Sequence, residues 1–207
     1  MRKRPPLELA QLGEDPVAAF RAWYKEAIAQ KVPMPDAMAL ATAMPPGVPS
    51  LRWVLLKGVD EAGGFTFFTS YESRKAFELS ENPQAALGFH WQPLGRQVRI
   101  EGAITRLSAA ENDAYWATRP LESRIAAIVS RQSLPAPGRD AMTRAFDAAL
   151  KMTRARAEGP ARPAHWGGYR LWPQVLEFWQ GQPNRFHDRF RYERAVGGGW
   201  TVTRLWP

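Results

Sequence analysis

The stretch Glu177-Phe-Trp-Gln-Gly-Gln-Pro-Asn-Arg-Phe-His-Asp-Arg-Phe190 sets the reading of the whole chain. Gly181 and Pro183 interrupt it, so it reads as strand, turn, strand. Past the turn, Arg185, His187 and Arg189 recur at every second residue, which on an extended chain puts all three on one face. Cationic groups placed in this way repel one another unless an anion lies opposite. Arginine suits a phosphate there, because its planar fork donates two parallel bonds. The plainer alternative is a solvated strand face whose Asp188 pairs with a neighbour.

Working outward, the C-terminal side continues as a hairpin: Phe190–Val196, the turn Gly197-Gly-Gly199, then Trp200–Leu205. On the N-terminal side, Trp166-Gly-Gly-Tyr169 leads into a strand Arg170–Trp179, in which Pro173 marks an edge or a bulge. Before it, Asp140–Ala157 has the helical period, with Met142, Phe146, Leu150 and Thr153 on one stripe read as core. Ser108-Ala-Ala-Glu111 is a capping box that opens a helix running through Tyr115 and Trp116 to Arg119-Pro120. A short helix follows at about Glu122–Val129, and then Arg131-Gln-Ser133 in a loop. Ala85–Trp91 and Val98–Leu107 are strands joined through Pro93-Leu-Gly95, and Gln97, Arg99 and Glu101 give the second a polar face.

The first part of the chain follows the same rules. Asp15-Pro16 caps a helix that carries Phe20, Trp23, Ala27 and Ile28 and ends at about Lys31. Ala37–Met44, Leu51–Lys57 and Phe65–Ser70 read as strands, the last two joined by the turn Asp60-Glu-Ala-Gly-Gly64. Arg52 and Lys57 are spaced so that a regular strand would turn them to opposite faces. Either a bulge realigns them or the strand ends before Lys57. Ser73-Arg-Lys75 opens a short helix ending near Asn82-Pro83. Free backbone N–H groups, the helix dipole and two cations would converge there on a phosphate, the alternative being a plain N-cap. Residues 1–13 read as a flexible leader and 14–207 as a single domain. The sum is a mainly β protein with flanking helices, an antiparallel barrel. Rossmann and P-loop fingerprints are missing.

Composition narrows the chemistry. With no cysteine, the chain offers no thiol nucleophile and no thiolate metal site. Its histidines (His90, His165, His187) are scattered, which disfavours a metal site built on them. The net charge is +8, from 28 basic and 20 acidic residues. Beyond Arg4 the arginines stand singly among apolar residues, so they point to discrete anion pockets rather than to nucleic acid or a membrane surface. No apolar segment reaches membrane-span length, and no signal-like apolar run follows the initial charges, so the reading is a cytoplasmic protein.

Together the motifs Arg52–Lys57 (RWVLLK), Ser73-Arg-Lys75, Arg96-Gln-Val98, Arg119-Pro120 with Ser123, Arg131-Gln-Ser133 and Glu177–Phe190 resemble the pyridoxamine 5′-phosphate oxidase family. Their order and spacing match the family's from about Asp15 to Pro207. The resemblance implies a split β-barrel and a homodimer with FMN at the subunit interface. It implies oxidation of pyridoxamine and pyridoxine 5′-phosphate to pyridoxal 5′-phosphate by dioxygen, giving hydrogen peroxide, and ammonia from the amine. On the family's pattern, FMN would contact Arg52, Trp53, Val54, Leu55, Leu56, Lys57, Phe68, Thr69, Arg74, Lys75, Gln97, Gln132, Ser133, Trp179 and Arg189. Substrate would contact Lys57, Tyr115, Arg119, Ser123, Arg185 and His187, with Arg185 and His187 also catalytic. Two phosphorylated ligands would then occupy two basic clusters, Arg52/Arg74/Lys75 and Lys57/Arg119/Arg185. Phe68 departs from the family's frequent tyrosine, Phe186 from its usual leucine, and Gln182-Pro-Asn184 is unusual beside that loop. Competing readings are a flavin oxidase acting on another ring such as a phenazine precursor, a non-catalytic flavin-binding module, and a basic barrel stacking single-stranded nucleic acid on its tryptophans.

Overall fold

The computed structural model describes residues 4–45, 47–155 and 158–207. Among them, nine strands form one antiparallel sheet: β1 (Ala37–Met44), β2 (Val48–Leu55), β3 (Gly58–Val59), β4 (Phe65–Ser70), β5 (Gln84–Trp91), β6 (Arg96–Arg106), β7 (Trp166–Gln180), β8 (Asp188–Arg194) and β9 (Trp200–Arg204). The neighbour order is β2-β1-β5-β6-β7-β4-β3, with β8 on β7 and β9 on β8. β2 and β3 are successive pieces of one extended run, broken where Leu56 N–H donates to Asp36 O and Lys57 N–H to Thr66 O. The two ends of that order therefore meet, and the sheet closes into a barrel. Of the two options for Arg52 and Lys57, strand termination is the one realised, because β2 ends at Leu55.

Strand β7 explains why the barrel is split. Its first half pairs with β4 and its second half with β8, while β6 runs beside both. Pro173 stands at the changeover. It has no N–H to donate, and opposite it the β6–β7 register shifts at Glu101/Gly102. A Cβ at residue 102 would run into the Trp172 carbonyl oxygen, so only glycine lets the strands approach there. The proline read as an edge or bulge marker sits at the bulge.

Among the described residues six α-helices flank the sheet: α1 (Leu9–Leu12), α2 (Pro16–Ala29), α3 (Arg74–Glu81), α4 (Ala109–Thr118), α5 (Leu121–Val129) and α6 (Arg139–Arg154). The Asp15 carboxylate caps α2 by accepting from Val17 N–H, and Ser108 with Glu111 forms the expected capping box on α4. Phe20 and Trp23 of α2 enter the barrel core, where Phe20 packs edge-on against Phe65 and Phe89.

Two expectations need correction. From Arg4 onward the leader is docked: Leu7 and Leu12 are buried, Leu7 N–H donates to Asp188, and Gln180 and Gln182 donate to Pro5 O. Apolar Leu7 and Leu12 sit among charges, and their burial outweighs the polar look of the segment. Residues 1–3 lie outside the described residues. Helix α6 has no buried residue, so the stripe at Met142, Phe146, Leu150 and Thr153 is not core within this chain. Its period reports a face that seeks cover without naming what covers it. The expected last residues of that helix, 156 and 157, also lie outside the described residues.

Candidate active site

Most of the sequence-predicted residues fall into two clefts that share no lining residue, while Leu56, Arg74, Ser123, Ser133, Arg185 and His187 line neither. The larger, of about 420 Å³, is lined by Arg52, Trp53, Val54, Leu55, Lys57, Phe68, Thr69, Lys75, Tyr115, Arg119 and Gln132. The smaller, of about 180 Å³, is lined by Gln97, Arg99, Glu177, Trp179, Arg189 and Pro207. Leu56 is buried in the core instead, Arg74 stands outside both linings, and Ser133 is exposed in its loop with a left-handed backbone (φ 74°). Ser123 takes part through its carbonyl, which accepts from Arg119 Nη2.

The larger cleft gathers cations that the sequence had divided between two clusters. Arg52 and Lys75 lie in it together with Lys57 and Arg119, whereas Arg185 does not line it. Lys75 is buried, and its Nζ donates to Thr69 Oγ1 (3.0 Å), Ser73 Oγ (3.2 Å) and Gln132 Oε1 (2.7 Å). All three partners are neutral. Burial, then the Arg52 charge, pull its ammonium down to about 8, with Glu78 opposing them. Ser73 makes no side-chain cap bond to α3, because its hydroxyl donates to Ser70 O and accepts from Lys75. Lys57 reaches Asp36 at 3.4 Å. Arg119 lies over the Trp166 ring at 4.6 Å, its Nε buried and without a hydrogen-bond partner among the described residues. Burial lowers its pKa. Phe68 stacks on Tyr115 at 3.9 Å and on Trp166 at 5.3 Å, so an aromatic wall adjoins the cations. Fused rings ending in a phosphate match a cleft with an aromatic wall, an orphaned guanidinium N–H and a buried ammonium without a carboxylate partner.

The smaller cleft is closer to electrical balance. Glu177 is 5% exposed and accepts from Arg99 Nη2 and Arg189 Nε, both at 2.8 Å. Arg189 also donates to Trp206 O. The bond it donates to Glu177 raises the Arg189 pKa despite burial. Trp179 and Gln97 face each other in the β6–β7 register and offer an indole plane beside a primary amide.

Arg185, His187 and Arg189 do not form one strand face, contrary to the alternation. β8 begins only at Asp188. Arg185 lies in a 3-10 turn, with Asn184 and Arg185 both at positive φ (58° and 63°). Asparagine tolerates that conformation, so Gln182-Pro-Asn184 serves the turn. Arg185 and Phe186 are exposed. The His187 ring lies 4.6 Å from the Trp179 ring, and its Nδ1 accepts from Gln182 N–H, so in the neutral ring the proton sits on Nε2. Asp188 does find partners: Arg204, Gln182 and Leu7 N–H.

Sequence reasoning missed the two buried carboxylates that hold the arginines, Glu78 and Glu177. Arg74 and Glu78, spaced i,i+4 on a helix, gave a usable signal for the first. The second needs the strand register.

This barrel, with its paired clefts, is of the split β-barrel class. Residues 24–152 match the family model described as pyridoxamine 5′-phosphate oxidase, and residues 166–207 match that of the pyridoxine 5′-phosphate oxidase C-terminal dimerisation region. The chain belongs to the pyridoxamine 5′-phosphate oxidase family. It is 50% identical over 204 residues to the pyridoxine/pyridoxamine 5′-phosphate oxidase of Cupriavidus pinatubonensis, covering 97% of this chain and 93% of that one. The protein of the same name from Bordetella pertussis is 54% identical over 198 residues, 95% and 91% of the two chains. Among solved structures, PhzG from Burkholderia lata 383, in complex with tetrahydrophenazine-1-carboxylic acid, superimposes with a TM-score of 0.89 at 32% identity, covering 97% of this chain and 96% of that one. A pyridoxamine 5′-phosphate oxidase-related, FMN binding protein from Nostoc punctiforme shares the fold, with a TM-score of 0.76 at 19% identity over 94% and 100% of the chains. Among the described residues, no helix is long and apolar enough to cross a membrane.

Proposed function

We propose that this protein oxidises pyridoxamine 5′-phosphate and pyridoxine 5′-phosphate to pyridoxal 5′-phosphate, with FMN as cofactor and dioxygen as acceptor, as a homodimer. The observation that carries this reading is the convergence of Arg52, Lys57, Lys75 and Arg119 on one cleft beside the Phe68–Tyr115 stack. So many cations in one place suit two phosphates better than one. FMN, when bound, supplies the hydride acceptor and the reaction with dioxygen. Arg52, Arg74, Lys75, Thr69 and Gln132 would hold its phosphate end, and Lys57, Tyr115, Arg119 and Ser123 the substrate. Gln97, Trp179 and Arg189 lie in the other cleft, so a flavin touching both sets draws them from two protomers. Arg185 and His187 would then cover the substrate from the partner's side, His187 donating from Nε2. Their role is to hold the ring at near-attack distance and to meet charge as it develops.

The likeness to PhzG favours a second reading, oxidation of a reduced phenazine precursor. One experiment separates the two. The purified protein is examined for bound flavin, and peroxide is assayed with pyridoxine 5′-phosphate and with a dihydrophenazine. Turnover of the phosphate ester is the expected result; turnover of the phenazine alone overturns the proposal.

A further inference from the structure

The buried acid Glu78 lies beneath the cationic end of the larger cleft, outside every motif that pointed to the site. It is 2% exposed on α3 and accepts four side-chain hydrogen bonds: Thr42 Oγ1 of β1 (2.5 Å), Ser50 Oγ of β2 (2.5 Å), Arg52 Nη2 of β2 (3.0 Å) and Arg74 Nε of α3 (2.8 Å). Burial alone would raise its pKa, but the bonds from Ser50, Thr42, Arg74 and Arg52 outweigh that and hold it at about 2. It is therefore ionised throughout the working range.

The two arginines are held differently. Arg52 turns its fork inward: Nη1 donates to Leu40 O and Thr42 Oγ1, and Nη2 to Ser50 Oγ and Glu78. Four donors are consumed, so Arg52 brings mainly fixed charge. Arg74 is gripped side-on through Nε. Its two Nη groups make no hydrogen bond among the described residues, and its side chain is 66% exposed. A carboxylate that takes only Nε leaves the outer fork ready for an anion in two parallel bonds. Of the two arginines expected at that phosphate, Arg74 is the one with a fork left to offer.

We infer that Glu78 is a positioning residue for the phosphate of a bound flavin: it clamps Arg74 so that the free side of its guanidinium, beside Lys75, faces the ligand. This rests on the FMN reading above. The competing role is a staple fastening α3 to β1 and β2, which would matter for folding and not for a particular ligand. A sign also separates the possibilities. Removing a negative charge near a phosphate, by itself, tightens phosphate binding, whereas releasing the clamp weakens it.

The test measures the affinity of the deflavinated protein for FMN and for riboflavin, which lacks the phosphate, by quenching of flavin fluorescence in wild type and Glu78→Gln. The expected result is FMN affinity about tenfold lower, the scale of a lost charged hydrogen bond, with riboflavin affinity unchanged. Equal weakening of both ligands, or FMN binding unchanged or tighter, overturns the proposal. Ser50→Ala loosens the same clamp without changing charge. It serves where Glu78→Gln does not fold, with the same pattern expected at about threefold. A wild-type protein that does not prefer FMN over riboflavin would overturn the flavin reading itself, and the proposal with it.

Discussion

The two clefts solve one problem in opposite ways. At each, a buried carboxylate holds two arginines: Glu78, beneath the larger cleft, with Arg52 and Arg74, and Glu177, within the smaller, with Arg99 and Arg189. In the larger cleft, Lys75 and Arg119 add positive charge for which the described residues supply no bonded carboxylate. In the smaller cleft Glu177, joined by Glu101 at 3.8 Å from Arg99, sets two carboxylates against the two arginines, and what remains is an indole plane and an amide. Surplus charge suits a phosphate, which needs strong grip. A balanced, flat surface suits a neutral ring, which needs placement more than attraction. On the proposed function, binding strength and ring alignment fall to different parts of the chain.

The largest effect that could break this division comes from the side of the smaller cleft. Arg185→Ala is expected to lower kcat/KM by roughly a hundredfold or more, as for loss of one preorganised donor, with FMN retained. Steady-state kinetics and the flavin spectrum of the purified variant check it; a colourless Arg185→Ala protein would contradict the division. On the other side, Lys75→Met should weaken FMN by about tenfold or more and spare riboflavin, since a hydrogen bond to a charged group is worth about 1.5–3 kcal/mol. Equal loss for both flavins would mean that Lys75 supports the cleft wall instead.

A pH titration sharpens the same point. Because the Lys75 pKa is depressed to about 8, the deflavinated protein carries that charge below pH 8 and loses it above. Binding a phosphate above pH 8 must then take up a proton. FMN affinity should fall by up to about tenfold per pH unit there, and Lys75→Arg should flatten the slope. Riboflavin, the probe suited to the smaller cleft, should show no such slope. The smallest expected effect lies outside both clefts. Ser108→Ala removes half of the α4 capping box at a cost of about 1 kcal/mol, read from denaturant melts. Ser108 is the leading cause of the Glu111 pKa of about 2, followed by Arg170. A depressed acid stabilises above its unfolded value and loses that contribution as pH falls through the folded one. The gap between wild type and Ser108→Ala should accordingly close on acidification towards about pH 2.

Much of this was legible in the sequence because the cues were local. Pro173 gave the bulge, Ser108 and Glu111 the cap, and the glycine turns the hairpins. What escaped depends on distant partners. The division of site residues between two clefts is invisible in a linear motif, since Gln97 and Trp179 come together only through the β6–β7 register. Alternation failed at Arg185 because Pro183 and Asn184 replace the strand with a turn, so the period-2 rule was applied across a boundary. The leader was misjudged because Leu7 and Leu12 bury two apolar side chains in a segment whose average is polar. The α6 stripe shows the reverse, a clear apolar pattern that this chain alone does not cover.

Strand β7 carries Trp166 behind the larger cleft and Trp179 within the smaller, with the Gly102–Pro173 bulge between them. Substitutions at that joint would be felt by both ligand surfaces, whereas the turn from Gln182 to Phe186 can be rewritten without disturbing the hold on phosphate. On the proposed function, drift in ligand range would have an open route through a single short loop, while the cofactor's anchorage would stay in the barrel.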